Sequence, residues 1–394
     1  MFLNKITFLL LICFIINGCT EPYILETNTY EEALVVEATI TNELKKQEIT
    51  LSKTSKLEDI EIKVESGADV YITDNTGIRY DFEEESGKYI STSEFQAIPG
   101  REYRLNITTS DGRSFESSTE NLPPINPMKD VKAIVETKDS IRGVAIHANS
   151  EDPTNNAKYY RYEYEETYKI VAPRWNSMKA IIVPGVTPSS NPTIELIPNS
   201  VDTRVCYTTK NSTDIILTST AEQNKNQVDI PVRFISSQNS IISHRYSILV
   251  TQYVENLAAY TYYKTLKKIS DSGSLLSPLQ PGFLYGNIKS TINPNDKIIG
   301  YFEVASVSSK RIYFNYKDLF PLDPLPPYYT ECEQMALNFC FVGIGCDGDN
   351  LVYGFSNNTI TYIRNTGITY IVNPAPCGDC TTFSSNIKPL FWED

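Results

Sequence analysis

From residue 34 to 41 apolar and polar positions alternate, with Leu34, Val36, Ala38 and Ile40 against Val35, Glu37, Thr39 and Thr41. A period of two with one apolar face predicts a half-buried β-strand. The same reading predicts strands at 48–53, 69–73, 78–82, 88–91, 102–108 and 114–118. Turn-forming residues separate them: Asp74-Asn75-Thr76-Gly77, Ser86-Gly87, Pro99-Gly100 and Asp111-Gly112. The last pair is a strong hairpin signal. Some seven short strands in so few residues predict an immunoglobulin-like β-sandwich over 31–122. Tyr103, opening a strand just after Pro99-Gly100, is placed like a tyrosine corner.

Leu122-Pro123-Pro124-Ile125-Asn126-Pro127 cannot sit inside a sheet, because three prolines remove three backbone donors. It marks the boundary to a larger β-rich domain, 123–394. There Tyr160, Tyr162 and Tyr164 alternate with Arg161, Glu163 and Glu165, and Tyr246, Ile248 and Val250 with Ser247, Leu249 and Thr251. A strand pair is expected at 297–307 and 311–316. One amphipathic helix, 256–271, interrupts the strands: Ala259, Tyr262, Tyr263, Leu266 and Ile269 recur at helical spacing, Asn256 is the candidate N-cap and Gly273 the stop. A proline-rich loop, 321–327, leads into a cysteine-rich tail, 328–394.

The fold class is therefore mainly β. The ends of the chain add a compartment. Lys5 followed by the apolar run Phe8 to Ile16 has the layout of an export signal, and the run is too short for ~30 Å of hydrocarbon. It ends in Ile16-Asn17-Gly18-Cys19, like a lipobox. The expectation is a signal peptide over 1–18, an acylated Cys19 and a lipid-anchored tether over 19–30. The alternatives are an ordinary signal cut nearby or a buried apolar segment. A net charge of −13 disfavours phosphate backbones, so nucleic acid is not an expected partner. Of eight cysteines, six remain beyond Cys19: Cys206, Cys332, Cys340, Cys346, Cys377 and Cys380. An even number in an exported chain predicts disulfides, with fifteen connectivities open.

Catalytic signals are sparse, and no catalytic, cofactor or metal residue is assigned. His147 and His244 are isolated in sequence and form no metal pair. There is no nucleophile elbow and no phosphate-binding glycine loop. A two-carboxylate glycosidase site stays open, since such pairs meet only in the fold. Cys377-Gly378-Asp379-Cys380 is read as part of the disulfide framework, with a zinc site using Cys332, Cys340 or Cys346 as the alternative. Asp347, Asp349 and Asn350 suggest a calcium loop, but the full pattern is absent and an exposed acidic turn is preferred. The 26 tyrosines are mostly structural, and exposed ones would form a platform for a glycan, peptide or protein.

Several segments together resemble a known family: Arg161-Tyr162-Glu163-Tyr164-Glu165-Glu166, Arg245 to Tyr253, Gly286-Asn287-Ile288, Gly300-Tyr301-Phe302-Glu303-Val304, and Cys377-x-x-Cys380 followed by Lys388 to Trp392. The chain resembles a Bacteroidota lipoprotein family, domain of unknown function four-two-four-nine. That resemblance implies an outer-membrane lipoprotein that is a non-enzymatic, ligand-binding accessory of a TonB-dependent receptor, with the ligand and the membrane face left open. The alternatives are a structural or biogenesis subunit of the envelope, and a cryptic glycan or peptide hydrolase.

Overall fold

The computed structural model describes residues 32–54, 63–187, 190–271 and 284–394. The expected signal, Cys19, the tether and Gly273 lie outside the described residues. The protein is mainly β.

Strands β1 (Leu34–Thr41), β2 (Glu48–Lys53), β3 (Lys63–Val64), β4 (Asp69–Asp74), β5 (Arg79–Glu85), β6 (Lys88–Ser91), β7 (Glu102–Thr108) and β8 (Ser114–Ser117) are followed by β9 (Glu120–Asn121). Seven of these fall where the alternation placed them, and β3 and β9 are two-residue additions. Each alternating apolar set turns inward: Leu34, Val36, Ala38 and Ile40 are all buried. The strands run in the order β1-β2-β6-β5-β4-β7-β8. Between β5 and β6, Ser86 (φ 52°) and Gly87 (φ 81°) both adopt the left-handed backbone that a two-residue hairpin turn requires.

Next come β10 (Asp130–Lys138), β11 (Ile141–Glu151), β12 (Tyr159–Val171), β13 (Met178–Val183), β14 (Thr193–Pro198), β15 (Val205–Asn211), β16 (Ile216–Ser219), β17 (Gln227–Ser236) and β18 (Arg245–Glu255). Strands β10-β11-β17 form one sheet, and β13-β14 form a hairpin. Helix α1 (Leu257–Asp271) starts where expected, because Asn256 Oδ1 accepts the Ala259 N–H at 2.8 Å. Its buried residues, Ala259 and Tyr262, pack on Tyr301.

Strands β19 (Ile288–Ser290) and β20 (Ile298–Asn315) then return to the start of the chain. The expected strand pair at 297–307 and 311–316 is instead one strand of 18 residues. Its polar middle, Ser308-Ser309-Lys310, reads as a turn but stays paired with Gln252, Thr251 and Val250 of β18. Residues 298–305 pair in parallel with β1, and β19 pairs with β8. Ile288, Ile298, Phe302 and Val304 thereby join the core of the N-terminal strands. Gly300 makes the parallel approach feasible: a Cβ there would sit 2.1 Å from the Val36 carbonyl oxygen, and its φ is +139°.

Helix α2 (Tyr316–Leu319) ends β20, and the cysteine-rich segment holds β21 (Met335–Asn338), α3 (Gly348–Ser356), β22 (Ile360–Thr366), β23 (Thr369–Pro374) and α4 (Ala375–Gly378). The expected single helix is thus joined by three short ones. Helix α3 escapes detection because nine residues with two glycines show only Leu351 and Phe355 as a buried apolar pair. These two pack on Tyr370 and Val372.

Candidate ligand-binding site

The six remaining cysteines form three disulfides: Cys206–Cys380, Cys332–Cys377 and Cys340–Cys346. The two cysteines of Cys377-x-x-Cys380 do not bond each other. Each reaches a different partner, and together they pull three distant segments to the end of β12 and β15. Cys332–Cys377 ties the loop carrying Tyr328 and Tyr329 to α4, where Tyr328 Oη donates to the Pro376 carbonyl at 2.9 Å. Cys206–Cys380 ties the segment carrying Phe383 to β15, where Tyr207 N–H donates to the Ser385 carbonyl at 2.7 Å. Tyr329 and Phe383 consequently lie with ring centroids 4.4 Å apart, and Tyr328 and Tyr329 with centroids 5.0 Å apart.

These rings line a cavity of about 350 Å³ together with Tyr168, Ile170 and Ile241. Tyr329 is 48% and Phe383 40% exposed, so part of each side chain is open to a ligand. Burial pushes the Tyr328 and Tyr329 phenols up, keeping both neutral. Lys169, Lys210 and His244 also line it. Burial, followed by the charge of Lys169, holds the His244 imidazole below its ordinary value, so it is neutral at pH 7.

A second constellation is largely buried, with only Glu163 at the surface. Arg161 on β12 donates through Nε to Glu255 Oε1 at 2.6 Å and through Nη2 to Glu303 Oε2 at 2.9 Å. Its third contact is Glu163. The guanidinium lies between the rings of Tyr253 and Tyr263, at 4.2 and 4.5 Å from their centroids. Both partner carboxylates are fully buried, and Glu255 Oε2 and Glu303 Oε1 accept no hydrogen bond. Burial first, and Glu303 second, raise the Glu255 carboxyl well above the usual carboxylate range. A glycosidase pair needs carboxylates facing a cleft. These two face an interior seam under α1.

The chain matches the family described as Domain of unknown function (DUF4249) over residues 20–311. It belongs to that family. No curated protein matches. Among solved structures, one titled "Biofilm associated protein - BSP domain" is similar at 7% identity, covering 87% of this chain and 76% of that chain, with a TM-score of 0.17. A superposition that loose carries no argument.

Within this DUF4249 chain the other residues singled out from sequence are placed apart. His147 on β11 has Nδ1 2.7 Å from Asp229 Oδ1, and Nε2 3.0 Å from Glu136 Oε1 without the direction of a hydrogen bond. Asp347 is the N-cap of α3 and accepts the Asn338 N–H at 3.0 Å, with Asp349 in the first helical turn, where negative charge suits the dipole. Among the described residues no group of three His, Cys, Asp or Glu side chains could hold a metal ion. Most tyrosines of the 159–168 and 260–263 clusters are buried or half-buried, while Tyr329 is exposed. The buried ionic cluster was missed, although Glu303 between Phe302 and Val304, in a run apolar on both sides, is the signal that would have found it. Phe383 carries no comparable signal.

Proposed function

We propose that this protein is a lipid-anchored, non-enzymatic ligand-binding component of the outer membrane, acylated at Cys19, that serves a TonB-dependent receptor. The observation that carries binding is the groove walled by Tyr328, Tyr329 and Phe383, whose rings are brought together by two disulfides. Rigid aromatic faces offer a large contact area at low entropic cost, and covalent ties preorganise them. Support for the anchor is the apolar run ending at Gly18-Cys19; the chain between Cys19 and Leu34 would reach at most ~50 Å. Support for the receptor is the family resemblance.

The N-terminal strands are best read as an immunoglobulin-like sandwich. Support comes from seven short strands paired antiparallel along β1-β2-β6-β5-β4-β7-β8 around one apolar core, and from buried Tyr103, whose Oη accepts the Ile98 N–H at 2.9 Å in the manner of a tyrosine corner.

The test is crosslinking in intact cells followed by purification from detergent-solubilised membranes. The expected product is a complex with a TonB-dependent receptor, and Cys19→Ser should move the protein out of the membrane fraction. Recovery of an uncrosslinked monomer alone overturns the receptor role.

A further inference from the structure

We propose that the aromatic groove takes a ring-bearing carboxylate, its ring lying on Tyr329 and Phe383 and its carboxylate held by the bases around His244. This rests on the reading of the groove as a binding site and adds the class of ligand.

The argument starts from charge. The chain carries a net −13, so its surface as a whole repels anions. The groove reverses that sign: among its lining residues Lys169 and Lys210 are cationic, His244 is a neutral imidazole and none is acidic. A neighbouring cavity of about 450 Å³ shares Lys169 and His244 and adds Arg245 and Lys317. The one acid lining it, Asp394, is itself paired with Lys388 at 2.5 Å and lies 3.8 Å from Lys169. Four cationic side chains, Lys169, Lys210, Arg245 and Lys317, face one paired acid here, against the net negative charge of the chain. Attraction confined to one concave place selects for ligands of the opposite sign.

The second strand of the argument is unused bonding capacity. The half-buried His244 ring makes no hydrogen bond to any described residue, and Lys210 forms no ion pair among them. The other basic groups of the region do have partners: Lys317 Nζ donates to the Asp323 carbonyl at 2.5 Å, and Arg245 to the Glu393 carbonyl. His244 and Lys210 are therefore the donors left for a ligand. A neutral imidazole offers one N–H, a lysine three, and a carboxylate accepts from both.

The third is shape. Tyr329 and Phe383 meet at 49° between ring planes, forming an open angle, and each leaves close to half its surface uncovered. The face of a sugar or an aromatic ring packs on such a surface, while a flexible acyl chain gains little from it. Ring and anionic group are thus recognised by different elements: the ring by the disulfide-held loops, the carboxylate by β15 and the residue preceding β18.

The experiment is titration calorimetry of the folded protein with three probes: a tetrasaccharide containing glucuronic acid, the neutral cellotetraose, and benzoate. The tetrasaccharide and benzoate distinguish a sugar acid from an aromatic acid. At least one acid should bind ten-fold or more tightly than cellotetraose, and its affinity should fall with added salt. Lys210→Gln combined with His244→Asn should weaken that acid at least ten-fold, as should Tyr329→Ala combined with Phe383→Ala. All four side chains are at least partly exposed, and unchanged circular dichroism confirms folding. Equal binding of acid and neutral probes, or indifference to Lys210→Gln with His244→Asn, overturns the anion assignment while the groove reading stands. Indifference of every bound probe to Tyr329→Ala with Phe383→Ala overturns the groove reading itself. Failure of both acids to bind at millimolar concentration overturns the ligand class.

Discussion

The N-terminal strands and the cysteine-rich segment after residue 328 achieve order by different means. The first encloses twenty-one buried hydrophobic residues, from Leu34 to Val304, and no disulfide. The second has eight, Leu351, Phe355, Tyr370, Val372, Ala375, Cys377, Cys380 and Trp392, of which the first four form its main cluster, and every one of the three disulfides has at least one cysteine in it. A fully buried large apolar side chain contributes about 1.5–3 kcal/mol, so the large ones here, Leu351, Phe355, Tyr370, Val372 and Trp392, do not offset the ordering of nearly seventy residues. Cross-links that limit the unfolded chain take over where the core is small. The groove's aromatic wall belongs to the cross-linked part, where loops can be set without repacking a sheet, while the rest of its lining comes from β12, β15 and the residues before β18.

The comparison breaks most visibly at the longest cross-link. Replacing Cys206 and Cys380 by Ser removes a tie across a sequence separation of 174, which the chain-entropy relation values at about 5 kcal/mol. The same change at Cys340 and Cys346, separated by 6, should cost about 2 kcal/mol. Urea melts of both variants check the ratio. Hydrogen exchange should show lost protection after residue 328 and none lost in β1, β2, β4 or β7. Equal losses in both regions would mean that they fold as one unit.

Between the two regions lies the buried Arg161 cluster. Arg161→Leu leaves Glu255 and Glu303 without their shared cation and should destabilise by roughly 3–5 kcal/mol, measured by thermal melting. Tyr103→Phe tests the purely packed region: loss of the bond to Ile98 should cost about 1 kcal/mol, with the midpoint shifted and the fold retained.

An effect of equal size is a gain. In the unfolded chain Glu255 ionises near the ordinary 4.5, whereas in the folded protein its carboxyl keeps the proton to higher pH. Its contribution is fully present below that ordinary value and is lost as pH rises toward the folded value. Glu255→Gln removes this slope, and its amide can donate to the unsatisfied Glu303 Oε1. The variant should gain about 1 kcal/mol over the parent at pH 8 and show no advantage at pH 4. An unchanged pH profile of the melting temperature would show that Glu255 is already ionised in the fold.

The sequence by itself determined the local features: strands β1, β2, β6 and β7, the hairpin at Ser86-Gly87, the helix beginning after Asn256, and the oxidised state of six cysteines. Each is written in neighbouring residues, through a period of two or 3.6, a turn dipeptide or a cap. Tertiary structure alone decided that β20 returns to pair with β1, that Glu303 meets Arg161, which of fifteen disulfide patterns forms, and that Phe383 stands against Tyr329. Alternation tells which face of a strand is apolar and says nothing about what will cover it. Partners 142 or 174 residues apart are chosen by the packing of whole sheets.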